Sequence, residues 1–200
     1  MDGTSDIRHN QPLVLASRSP RRKFLLEQAG LVFTVFESRV DESGYVWSSP
    51  AEYTQTLAMA KARDVAAQFP DHWVIGADTI VVLDNALLEK PPSKAHARDM
   101  LSALSGCVHS VYTGYAIVCQ DDDQGLSGVS TTEVWFKPLS AGEIEWYLET
   151  SEPYDKAGAY AIQGLGSMFI SRVNGSYTNV VGLPVCEVVG HLIQKGVITF

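Results

Sequence analysis

The sequence predicts an α/β protein built on a mixed β-sheet flanked by helices. Three observations carry that expectation. Short apolar runs rich in β-branched and aromatic residues alternate with helical patterns. Two of the helical patterns open on the serine-to-glutamate spacing of a capping box. Several strand-like runs are joined by turns too short for a crossover, so hairpins must accompany any parallel pairs.

Leu13 to Ser17 (LVLAS) reads as a short buried strand, and Pro20 opens a helix that Gly30 ends. Leu31 to Phe36 is a second strand-like run, followed by a polar, acidic loop from Glu37 to Ser48. Ser49-Pro50-Ala51-Glu52 starts a long helix that should reach about Phe69 before Pro70 stops it. Trp73 to Leu83 (WVIGADTIVVL) is nearly continuous apolar sequence, as a strand buried on both faces requires, and Asp84-Asn85 is a turn.

Ser93 caps a helix through Leu104, closed by Gly106. Val108 to Gln120 reads as a strand, DDDQGLSG at 121–128 as an exposed turn, and Val129 to Phe136 as the strand returning across it. Ser140 to Glu143 opens a helix reaching Leu148. A glycine-rich stretch then holds a strand at 168–173 (MFISRV) and a turn at Asn174-Gly175, and Pro184 begins a last helix to Lys195, closed by Gly196. No stretch repeats at a period of 20–50 residues.

With 200 residues, 46% of them hydrophobic and 19% charged, the chain can bury one substantial core, expected over 12–200 behind a flexible tail at 1–11. Fifteen basic against 23 acidic residues give a net charge of -8, which argues against a duplex-DNA or anionic-membrane binder. No apolar run is long enough to span a membrane, and the first residues lack the apolar segment of a signal peptide, so a cytoplasmic location is expected. Cys107, Cys119 and Cys186 have no metal-ligand spacing and read as free thiols, and the five histidines show none either.

Five segments carry residue types suited to chemistry. Ser17-Arg18-Ser19-Pro20-Arg21-Arg22 sits where a strand hands over to a helix, so hydroxyls, guanidinium forks and free backbone N–H groups could converge on a phosphate, or the serines could simply cap the helix. Gly76-Ala77-Asp78-Thr79 places a carboxylate inside the most apolar strand, which costs several kcal/mol unless the charge is paired, hydrogen-bonded or metal-bound. Asp41-Glu42 lies in the acidic loop and Glu89-Lys90-Pro91 follows the long strand. Each is ordinarily a solvated charge, but together with Asp78 they would supply oxygen ligands for a hard cation and an ammonium for the phosphate it carries. In DKAGAYAIQG (155–164) and GSYTN (175–179), small residues allow a backbone close to a ligand, and Gln163 can both donate and accept, as a nucleobase edge requires.

Taken in order, LASRSPRR (15–22), GADT (76–79), EKP (89–91), SGCVHSVYTG (105–114), DKAGAYAIQG (155–164) and GSYTNVVGLP (175–184) resemble the Maf family of nucleoside triphosphate pyrophosphatases over almost the whole chain. The resemblance implies an elongated mixed-sheet α/β fold of the Maf/ITPase-like kind, with a cleft between two lobes and often a homodimer. It also implies hydrolysis of a nucleoside triphosphate to the monophosphate and pyrophosphate with a divalent cation, Mg2+ or Mn2+. Asp78 matches the family's catalytic proton acceptor, Glu42 and Lys90 match further active-site positions, and Glu42 with Asp78 would hold the metal. Arg21, Thr79 and Gln163 match positions tied to substrate selection, and Ser17, Ser19 and Arg22 complete the phosphate-binding turn.

The DKAGAYAIQG form looks like the branch that acts on dTTP, UTP and modified pyrimidine triphosphates, a role linked with clearing modified nucleotides and with cell-division arrest. Arg18 stands where the family more often has a small residue, and Cys107 replaces a polar one. The alternatives are a pyrophosphatase of the 7-methyl-GTP branch and a non-catalytic nucleotide-binding regulator of cell division. Nucleic acid and membrane are not expected partners.

Overall fold

The fold was read from a computed structural model that describes residues 7–120 and 122–200. The expected tail at 1–11 therefore lies partly outside the described residues. Within them, Arg8–His9 form strand β1, paired antiparallel with β9 (Ile198–Thr199).

The main sheet is mixed and flanked by helices. Its order is β3 (Thr34–Val35), β2 (Leu13–Leu15), β4 (Trp73–Leu83), β6 (Val108–Cys119), β7 (Asp122–Phe136), β8 (Ile170–Asn174), with β5 (Ala86–Leu88) also on β4. β2 runs parallel to β3 and β4, whereas β5 on β4 and β8 on β7 are antiparallel. The chain divides into two compact units: residues up to Asp78 with 113–129 and 182–200, and residues 79–112 with 130–181. β4 changes unit between Asp78 and Thr79, the middle of the candidate motif.

In the first unit, α1 (Pro20–Gln28) is capped by Ser19, whose hydroxyl accepts from Arg22 N, and the chain leaves it through Gly30 at φ 76°, the left-handed geometry glycine adopts without strain. α2 (Pro50–Ala66) is capped by Ser49, which accepts from Glu52 N. Its Ala58, Ala62, Val65 and Ala66 bury against Val14, Ala16, Val74, Ala116 and Val118. Two glycines let α2 approach the sheet this closely. A Cβ on Gly76 would lie 2.3 Å from Ala58 O, and one on Gly114 would lie 2.2 Å from Thr54 O. α6 (Val185–Gln194) closes this unit's sequence, ending before Gly196 at φ 68°.

In the second unit, α3 (Lys94–Leu104) turns Ala97, Leu101 and Leu104 inward, the i, i+4, i+7 stripe of an amphipathic helix. α4 (Ala141–Leu148) carries a complete capping box between Ser140 and Glu143, and the Lys137 ammonium with the Ser140 donors pulls the Glu143 carboxyl down to about 2. Both helices pack on a core of Val81, Leu83, Val111, Val134, Phe136, Tyr147, Tyr160 and Phe169. Each large side chain buried there stabilises the fold by roughly 1.5–3 kcal/mol.

The structure departs from the sequence reading in several places. Asp84 and Asn85 have φ of 49° and 67° and join Leu83 to Ala86 as a two-residue hairpin, so a short β5 follows that the apolar pattern did not reveal. β7 begins at Asp122 rather than 129, so most of the expected turn at 121–128 is strand; Asp121 lies outside the described residues. Turn-forming composition yields there to continued strand structure, with Gly125 close enough to Val118 that a Cβ would meet its methyl at 2.9 Å. Leu165–Phe169 form a 3-10 turn, so the strand expected at 168–173 starts at Ile170, and Tyr177–Val181 form a short helix, α5, where none was expected. Cys107 and Cys119 are half-buried, Cys186 is exposed, and all three are free.

Candidate active site

Asp78 belongs to the first unit's share of β4, and the apolar residues on either side of it make the position buried. Its charge is compensated. Lys61 Nζ, from the middle of α2, lies 2.7 Å from Asp78 Oδ1 and 2.7 Å from Glu42 Oε1. Gly76 explains the meeting. Side chains two apart on a strand share a face, so the face that admits α2 at Gly76 also carries Asp78, and Lys61 precedes the Ala62 that touches Gly76. The Lys61 and Asp78 side chains are only 13% and 10% exposed, so their attraction is screened far less than that of a surface pair.

Glu42 reaches this point from the acidic loop. Asp41 Oδ1 accepts from Ser43 N at 3.0 Å and from Ser43 Oγ at 2.7 Å, which caps the 3-10 turn Glu42–Gly44 and holds the Asp41 carboxyl below its ordinary range. The acidic pair noted in the sequence is thereby split: Asp41 builds the turn and Glu42 joins Asp78.

The Ser17–Arg22 turn lies in the same unit. Arg22 Nε donates to Gly182 O at 2.8 Å and Arg22 Nη1 to Ser17 Oγ at 3.2 Å, while Ser19 N donates to Ser17 Oγ at 3.2 Å. Ser19 is the helix cap, so the capping alternative holds for that residue, and Ser17 orients the guanidinium. Burial pushes the Arg22 guanidinium below its ordinary value, against the pull of the Asp78 carboxylate; Arg21 adds to the lowering and Glu42 opposes it. Arg18 instead pairs with Glu37 on an exposed surface.

Three expected residues belong to the second unit. Thr79 follows Asp78 directly and so projects from the opposite face of β4. Lys90 is exposed, and its neighbour Glu89 accepts from Gly158 N at 3.2 Å, which ties the EKP segment to the glycine-rich one. Gln163 is exposed in the turn before the 3-10 segment at 165–169.

Lys61 was not among the residues singled out in the sequence, because a lysine inside an amphipathic helix is ordinarily a solvated charge. The available signal was the small-residue pair Ala58 and Ala62 opposite Gly76, which marks a close helix-to-sheet approach with Lys61 at its edge.

Two carboxylate oxygens converging on one cationic centre are the donors a hard cation takes. Among the described residues no group of three or more Asp, Glu, His or Cys forms a protein-only cage. The pair therefore fits Mg2+ or Mn2+ in the usual nucleotide arrangement, with one or two carboxylates and the remaining oxygens from substrate phosphates and water. No helix among the described residues is long and apolar enough to cross a membrane.

A family model described as Maf-like protein matches residues 12–195. The dTTP/UTP pyrophosphatase of Syntrophus aciditrophicus (strain SB) is 46% identical over 190 residues, covering 95% of this chain and 93% of that protein. The dTTP/UTP pyrophosphatase of Geobacter metallireducens is 49% identical over 187 residues, covering 94% and 97%. A solved HAM1 protein from Coxiella burnetii aligns at TM-score 0.44 and 16% identity over 63% of this chain and 73% of that one.

Proposed function

The chain belongs to the Maf-like protein family, and on that premise we propose that it is a nucleoside triphosphate pyrophosphatase that hydrolyses dTTP and UTP to the monophosphate and pyrophosphate. The observation that carries the reading is the Glu42–Lys61–Asp78 arrangement in the same unit as the Ser17–Arg22 turn. A triphosphate needs cationic groups to neutralise it and a carboxylate to take a proton from water, and these residues supply both.

In this reading Arg21, Arg22 and the Ser17–Ser19 turn bind phosphate oxygens, and Lys90 adds an ammonium. Asp78 accepts a proton from water as the water oxygen bonds to the α-phosphorus. The bond from that phosphorus to the bridging oxygen breaks, and pyrophosphate leaves with the electron pair. Lys61 holds Asp78 Oδ1 and Glu42 Oε1, which fixes the direction of both carboxylates before substrate arrives. A divalent cation, Mg2+ or Mn2+, held by Glu42, Asp78 and the substrate, would add charge neutralisation on the phosphates. Gln163 and Thr79 would read the base, since a site that hydrogen-bonds polar edges discriminates better than an apolar one.

The same reading covers modified pyrimidine triphosphates, whose removal keeps them out of nucleic acids, with a link to cell-division arrest. It places the enzyme in the cytoplasm, as a homodimer. Pyrophosphate release from dTTP, UTP, 7-methyl-GTP and the remaining nucleoside triphosphates, with Mg2+ or Mn2+, tests it. Turnover concentrated on dTTP and UTP is expected. Preference for 7-methyl-GTP would move the chain to the other branch, and binding without turnover would make it a regulator.

A further inference from the structure

The backbone that carries Gln163 is fastened on both sides by one buried network in the second unit. On the N-terminal side, Ala161 N donates to Tyr147 Oη at 3.2 Å. Tyr147, fully buried, donates its O–H to Glu152 Oε1 at 2.8 Å. On the C-terminal side the same carboxylate accepts from Gly166 N at 2.9 Å through Oε1 and from Leu165 N at 3.0 Å through Oε2. Only Ile162, Gln163 and Gly164 lie between the two anchors. The fit at Gly164 is close, since a Cβ there would sit 1.9 Å from Glu152 Oε2.

Every group facing the carboxylate is a donor, so it must stay an acceptor at both oxygens. Burial works against its charge, but the Gly166 N–H, the Tyr147 hydroxyl, the Leu165 N–H and Lys156 outweigh burial and hold the carboxyl below its ordinary range. Lys156 Nζ also donates to Glu152 O at 2.9 Å, which secures the backbone of Glu152 itself. Glu152 touches none of the groups given a chemical step above; its reach ends at the loop that presents Gln163.

We propose that Glu152 is a positioning residue for base selection, acting through Tyr147 and the N–H groups of Leu165 and Gly166 to hold Gln163 in a single orientation. The proposal rests on the reading that Gln163 contacts the base. A glutamine that wanders through several orientations still fills space beside any base but no longer matches one hydrogen-bonding edge. Loss of the clamp therefore lowers discrimination before it lowers chemistry.

The test compares kcat and KM on dTTP, UTP, ATP and GTP for the wild type and for Glu152→Gln, Tyr147→Phe, Gly164→Ala and Gln163→Ala, with thermal melts alongside. Glu152→Gln turns an N–H donor towards the N–H groups of Leu165 or Gly166. The pyrimidine-over-purine ratio of kcat/KM should fall about tenfold through KM for dTTP and UTP, with kcat changed less than about threefold. Tyr147→Phe, which keeps the ring, and Gly164→Ala, which keeps the carboxylate but displaces it from its partners, should shift the ratio the same way and cover the case of an unfolded Glu152 variant. In the Gln163→Ala background, Glu152→Gln should reduce the ratio no further. If Gln163→Ala alters selectivity while all three clamp variants slow every substrate by one common factor, Glu152 is merely structural and the proposal is overturned alone. If Gln163→Ala leaves selectivity unchanged, the base-reading role itself falls and this proposal falls with it.

Discussion

Lys61 Nζ stands 2.7 Å from Asp78 Oδ1 and the same distance from Glu42 Oε1, so a single ammonium joins a helix, a buried strand and an otherwise exposed loop. The two carboxylates are far apart in sequence and repel one another. The lysine offsets that repulsion by binding both.

Lys61→Met should reduce kcat by about a hundredfold while the protein stays folded. With the ammonium gone, Glu42 and Asp78 lose the partner that fixes their directions. Steady-state kinetics beside a thermal melt check this, and an unchanged kcat would place Lys61 outside the catalytic arrangement.

Gly76→Ala should cost about 1–3 kcal/mol and most of the activity together. Its Cβ would lie 2.3 Å from Ala58 O, so α2 has to withdraw and carries Lys61 with it. Chemical denaturation read beside turnover tests the coupling; full stability and full activity would show that the close approach is dispensable.

Arg22→Lys should raise KM for the triphosphate about tenfold. The guanidinium holds Gly182 O and Ser17 Oγ with separate nitrogens, whereas one ammonium cannot span both while also facing a phosphate. Steady-state kinetics decide it, and an unchanged KM would remove Arg22 from phosphate binding.

How much of this was legible in the sequence depends on what each residue's neighbours announce. Asp78 was conspicuous because a carboxylate inside WVIGADTIVVL has to be compensated, and the capped helices at Ser93 and Ser140 follow local rules that tertiary structure left alone. Lys61 and Glu152 were not legible. Each sits in ordinary helical or turn sequence, and its importance comes from partners distant in the chain: Glu42 and Asp78 for the first, Leu165 and Gly166 for the second. The turn expected at 121–128 failed for the related reason that polar composition describes a segment's own preference and not the strand beside it.

Stability should depend on pH through His109. The ring is buried, its Nε2 hydrogen-bonded with Tyr160 Oη at 2.8 Å, and burial lowers it to about 4 from the ordinary 6.5. Below pH 6.5 the unfolded chain takes up a proton that the folded protein refuses until about pH 4. Stability is therefore retained above 6.5 and declines by about 3 kcal/mol between 6.5 and 4 on this account. Urea titrations at pH 7, 5.5 and 4 should show a steeper decline for the wild type than for His109→Phe, and equal slopes would contradict the assignment.

In the proposed reaction Asp78 takes the proton from the attacking water. The most direct test of that step is pyrophosphate release from dTTP and UTP by the wild type beside Asp78→Asn, which keeps the side chain's shape and a hydrogen-bonding oxygen for Lys61 but lacks the basic carboxylate. In Asp78→Asn kcat should fall at least about a thousandfold with an unchanged melting temperature. Turnover near the wild-type rate in the folded variant would contradict that role.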